Sequence, residues 1–120
     1  MWLFTNTGFV SAVSNGKDLM VRARDRASLE PIADSAKIKI IATPHNDYPY
    51  RVIVTHEFFA KWVSHMAAGI TYKNFKSEVA TTRGYDFAHP LLKVWSAMHE
   101  VEDKNSRSEE SDVVDTRGQI

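Results

Sequence analysis

The chain has 120 residues, 43% hydrophobic and 25% charged, with 15 Lys/Arg balanced by 15 Asp/Glu; that is one domain's worth of sequence and enough to bury a core unaided. It contains no cysteine, which excludes disulfide frameworks, thiol nucleophiles and thiolate zinc sites. The start MWLFTNTGFVSAV lacks the basic region of a signal peptide, and no apolar run approaches the roughly 18 residues needed to cross a bilayer, so a cytoplasmic protein without membrane contact is expected.

Taken in chain order, WLFT, FVSAVS and LMVRAR are three short apolar-rich stretches separated by NTG and NGKD. They read as a three-stranded meander, with Asn15-Gly16 as the strongest hairpin signal. After Asp25 the period changes to a helical one through Leu29, Ile32, Ala33 and Ala36. A short helix starting near Ser28 is expected, capped by Asp25 or Ser28, with Pro31 tolerated only in its first turn. AKIKIIAT then alternates Lys37 and Lys39 against Ile38 and Ile40, PHNDYP reads as a turn or loop, and YRVIVT is rich in β-branched residues. These form a second hairpin.

The remaining body reads as helical. Phe59, Trp62, Val63, Met66 and Ile70 fall on one stripe behind Thr55, a good N-cap; Tyr72, Phe75 and Val79 mark a shorter helix; Phe87, Leu91, Val94, Trp95, Met98 and Val101 share a face of a last helix from about Asp86, with Pro90 in its first turn. Such stripes are expected to be buried, with Phe59, Trp62, Phe75, Trp95 and Met98 packed together. Hairpin-helix repeated twice predicts an α+β domain over residues 1–103: a four- to five-stranded, mainly antiparallel sheet with three to four helices on one face. Of the 15 Lys/Arg and 15 Asp/Glu, 12 and 10 lie in residues 1–102, so the body is mildly basic. Residues 104–120 are expected to be a disordered, acidic and polar tail.

Strand alternation assigns the faces. Leu19, Val21 and Ala23 point to the helices, and Met20, Arg22 and Arg24 the other way; Tyr50, Val52 and Val54 likewise oppose Arg51 and Ile53. The outer face is thus expected to carry Arg22, Arg24, Lys37, Lys39 and Arg51, with Arg26 at its rim and Tyr48 in the neighbouring loop. Arginine suits bidentate contact with carboxylates and phosphates, although basic residues also serve simply to keep an exposed sheet soluble.

Signals for chemistry are few. His56 and His65, and His89 and His99, are not spaced as an i, i+4 pair that shares a metal, and no HExxH, GxSxG or phosphate-binding glycine loop occurs. No catalytic residue, metal site or cofactor is assigned, although His45, Asp47 and Glu57 would be the polar groups of a nuclease-like arrangement. The strings MWLFTNTGFVSAV, LMVRARDR, TPHNDYPYRVIV, ITYKNFKSEV and HPLLKVWSAM together resemble a widespread family of small proteins from bacteria, their phages and other mobile elements. The resemblance covers most of residues 1–102. It implies a stand-alone domain serving a phage or mobile element, and it assigns no site residue.

The functional expectation is a non-enzymatic interaction protein, an inhibitor or adaptor that binds a host protein or nucleoprotein complex through Arg22, Arg24, Arg26, Lys39, Arg51 and Tyr48. A nucleic-acid-contacting module using the same face is the alternative, and a small hydrolase the third reading.

Overall fold

Alternating apolar residues and two tight turns build a meander from β1 (Trp2–Thr5), β2 (Gly8–Asn15) and β3 (Asp18–Ala23) in the computed structural model, which describes residues 1–103. The second turn is shifted by one residue from the Asn-Gly signal. Asn15 closes the ladder opposite Asp18, so the loop is Gly16-Lys17. Gly16 has φ +64°, whereas Lys17 is not among the residues with positive φ, the pattern of a type II′ turn.

The helix α1 (Arg26–Ala36) begins two residues before Ser28, so Pro31 is its sixth residue and not part of its first turn. Ser28 is buried. Its hydroxyl donates to the Asp25 carboxylate and accepts the Phe9 N–H at 3.2 Å, tying the helix start to β2. At the other end Lys37 adopts φ 58°, ψ 42°. The Lys37 N–H reaches the Asp34 carbonyl and the Ile38 N–H reaches that of Ala33, which is a Schellman closure.

That closure corrects the strand expected over AKIKIIAT. Lys37 and Ile38 are spent on ending α1, and β4 is only Ile41–Ala42. It pairs with β5 (Tyr50–Val54), which in turn pairs with β3, giving one five-stranded antiparallel sheet in the order β1-β2-β3-β5-β4. Thr55 then caps α2 (His56–Ala68), its hydroxyl accepting the Phe58 N–H at 3.0 Å.

The core lies on one face of this sheet. Val10, Ala12, Val21, Ala23, Val52 and Val54 meet Leu29, Ile32 and Ala33 of α1 and Phe59 and Trp62 of α2. Burial of these side chains is the main force holding the layers together, at roughly 1.5–3 kcal/mol for each large one. The fold is α+β, with four α-helices among the described residues.

Residues Met1–Tyr72 form one compact unit and the segment from Lys73 a second. In the second, Asn74 caps α3 (Phe75–Arg83) by accepting the Ser77 N–H at 2.9 Å, and Gly84, at φ +90°, separates it from α4 (Tyr85–Met98). A 3-10 turn, His99–Val101, follows. Val79 and Ala88 are buried here, but the expected stripe of α4 is not: Trp95 is 58% and Met98 56% exposed, and Val94 and Val101 are exposed too. Phe75 is only half-buried. The joint core expected for Phe59, Trp62, Phe75, Trp95 and Met98 therefore reduces to Phe59 and Trp62. Trp95 instead carries the Lys76 ammonium on its ring at 4.8 Å and the His99 ring edge-on at 4.6 Å. The tail expected over 104–120 lies outside the described residues.

Candidate functional site

The sheet face away from α1 and α2 is set by register. Ser11 of β2 opposes Arg22 of β3, which opposes Arg51 of β5, which opposes Ile41 of β4. Successive side chains alternate across a sheet, so these four form one row. A second row joins Val13, Met20 and Ile53. Toward β1 the same face becomes aromatic: Phe4 stacks on Phe9 with ring centroids 4.5 Å apart, and Trp2 meets Phe9 edge-on at 5.8 Å.

Arg22 and Arg51 are like charges directly opposite each other, an arrangement that is unfavourable by itself. Neutral acceptors and one aromatic ring hold them. Arg22 donates to the Ser11 hydroxyl at 2.9 Å, while Arg51 donates to the Thr43 hydroxyl at 2.8 Å and the Tyr48 carbonyl at 3.2 Å. Tyr48 is buried, and the guanidiniums of Arg22 and Arg24 each lie 4.4 Å from its ring centroid. Such contacts are worth roughly 0.5–2 kcal/mol depending on desolvation. Among the described residues no carboxylate pairs with Arg22 or Arg51, and the Nε atoms of both are buried without a hydrogen-bond partner.

Arg24 behaves differently. It is exposed, and its guanidinium donates to both the carbonyl and the carboxylate of Asp47, at 2.9 and 3.2 Å. The three arginines together thus hold the connection 43–49 against the sheet. That connection is further closed by the Thr43 N–H on the Pro49 carbonyl at 2.7 Å and the Asn46 N–H on the Thr43 carbonyl at 3.0 Å. Pro44, His45, Asn46 and Asp47 are left exposed at its tip.

Of the residues singled out from the sequence, the structure brings together Arg22, Arg24, Arg51 and Tyr48. Arg26 is instead the exposed first residue of α1, and Lys39 is exposed in the segment between α1 and β4, outside any strand. Ser11 and Thr43 are partners that sequence reasoning missed, and Asp47, named there only with His45 and Glu57, is the third. Nothing in the alternation of the strands shows that PHNDYP folds back onto them; the hint was the Thr, Asn and Asp content of a loop beside three arginines. His45, Asp47 and Glu57 do not form a metal site: among the described residues no group of three or more His, Asp or Glu is placed to hold an ion. No described helix is long and apolar enough to cross a membrane. No protein family, curated protein or solved structure matches this chain.

Proposed function

We propose that this is a small non-enzymatic interaction protein, one that docks on a partner protein through the sheet face bearing Arg22, Arg24, Arg51 and Tyr48 and serves a phage or mobile element as an inhibitor or adaptor. The observation that carries the reading is the pair Arg22 and Arg51, two adjacent half-buried guanidiniums with neutral partners among the described residues. Uncompensated positive charge of this kind favours an acidic group from outside. Arg24 stands beside them, paired with Asp47 yet with more than half of its side chain open to water. Tyrosine and arginine are also the residue types that concentrate binding energy at protein interfaces.

Arg24 is the position at which to test the idea, because its exposure separates binding from folding. Tagged parental protein and Arg24→Glu are used to capture partners from host lysate, with and without nuclease. Capture of one stoichiometric protein partner by the parent, lost with Arg24→Glu and indifferent to nuclease, is the expected result. Capture that disappears with nuclease and weakens steeply with salt moves the reading to nucleic acid. Capture by Arg24→Glu at parental affinity overturns it.

A further inference from the structure

Among the described strands the sheet ends in two unequal edges, β4 with two residues and β1 with four. The main-chain groups of β1 can be sorted by direction. The Met1 amino group donates to the Ala12 carbonyl and the Ala12 N–H to the Met1 carbonyl, both at 2.8 Å. Met1 and Ala12 are therefore a hydrogen-bonded pair. Hydrogen-bonded and non-hydrogen-bonded pairs alternate along an antiparallel ladder, so Leu3–Val10 and Thr5–Gly8 are bonded, whereas Trp2–Ser11 and Phe4–Phe9 are not. The N–H and C=O groups of Trp2 and Phe4 consequently point out of the sheet. No described residue bonds to them.

Open edges are ordinarily blunted by lysine, proline or a bulge, because they template pairing with another chain. β1 carries none of these. The first charged side chain of the sequence is that of Lys17, so the β1–β2 hairpin up to Gly16 carries no charged side chain, and Trp2 at the edge is 69% exposed. We propose that β1 pairs antiparallel with β1 of a second copy, about a two-fold axis at Leu3. In this register Trp2 of each copy lies opposite Phe4 of the other, and all four outward groups on each side are used, giving four main-chain hydrogen bonds. The edge is self-complementary.

The side chains agree with the register. Trp2 of one copy extends the stacked Phe4 and Phe9 of the other into a continuous aromatic row, an arrangement that stabilises cross-strand neighbours. Leu3 meets Leu3 on the opposite face, and no charge is brought near another. A formal net charge of zero adds no general repulsion between copies. With only two residues in β4 at the far edge, pairing closes at the dimer.

Sedimentation equilibrium of the full chain over a wide concentration range, parent against Trp2→Pro, tests this. Proline at position 2 removes an outward N–H and no bond to β2. The parent is expected to pass from monomer toward twice its mass as concentration rises, while Trp2→Pro stays monomeric with a parental circular dichroism spectrum. A second variant guards against misfolding of the first. Leu3→Cys introduces the only thiol, and the axis puts two such residues at the roughly 4.5 Å Cα separation of a non-hydrogen-bonded pair, within disulfide range. Under mild oxidation it should form covalent dimer many times faster than Ser14→Cys, an exposed control on β2. A parent that stays monomeric, species larger than a dimer, parental dimerisation of a folded Trp2→Pro, or equal cross-linking of the two cysteine variants would each overturn the proposal.

Discussion

Arg22 lies on β3 and Arg24 just past its end, two residues further on, yet their environments predict opposite responses to substitution. Arg22 supplies the donor for the Ser11 hydroxyl, and Ser11 is 1% exposed. Arg22→Ala leaves that hydroxyl buried and removes one of the two cations on Tyr48, a loss on the order of 1–3 kcal/mol that urea unfolding should show as a lower midpoint at unchanged slope. Arg24, paired to Asp47 across water-exposed surface, should tolerate Glu for about 1 kcal/mol or less. An unaltered midpoint for Arg22→Ala would mean that the row Ser11, Arg22, Arg51 is not what holds the connection 43–49. Lys37 gives a prediction of the other sign. It occupies the left-handed region at the end of α1, where glycine pays no Cβ penalty, so Lys37→Gly should stabilise by about 0.5–1 kcal/mol. The sequence offered no glycine there to announce the turn. That is why Lys37 and Lys39 were expected on a strand, and why only part of the expected arginine and lysine face is a sheet face.

Elements were legible where pattern and partner coincide. The three-stranded meander, β5 and α2 could all be read because each has one apolar face and the core covers it, with Phe59 and Trp62 of α2 buried against the sheet. For α4 the pattern was equally clear, yet periodicity reports only that an apolar face exists and not that anything covers it. Trp95 and Met98 lie exposed on it. The site was less legible than the fold, because Thr43, Asp47 and Tyr48 reach the arginines through a loop whose path no periodicity encodes. The two tryptophans make the contrast measurable. Trp62→Ala should leave a cavity in the core and cost about 3–5 kcal/mol, whereas Trp95→Ala gives up mainly a surface contact with Lys76 and His99 and should cost about 1 kcal/mol or less. Equal losses in thermal or urea unfolding would show that the stripe of α4 is covered in solution.

At the scale of the molecule, the two compact units differ in what they can bury by themselves. Every residue of the core, from Val10 to Trp62, and every half-buried side chain packed against it, from Leu3 to Met66, belongs to Met1–Tyr72. That unit also contains all five described strands, each paired with another strand of the same unit. A segment of this size is near the lower limit at which single domains fold alone, but within it. The described part of the second unit has no such reserve. Val79 and Ala88 are its buried residues, and it is a helical pair shorter than about 40 residues with no disulfide or described metal group to staple it. Residues 1–72 expressed alone should therefore give a dispersed amide NMR spectrum and a cooperative melt, while a peptide of residues 73–103 should show little helix and no sigmoidal transition. The measurement separates two kinds of molecule. A cooperative 1–72 makes the sheet with α1 and α2 the folding unit, on which Arg22, Arg51 and Tyr48 can be studied without α3 and α4; a collapsed or featureless 1–72 would show that the core at Leu29, Ile32, Phe59 and Trp62 forms only when the helices after Tyr72 are present.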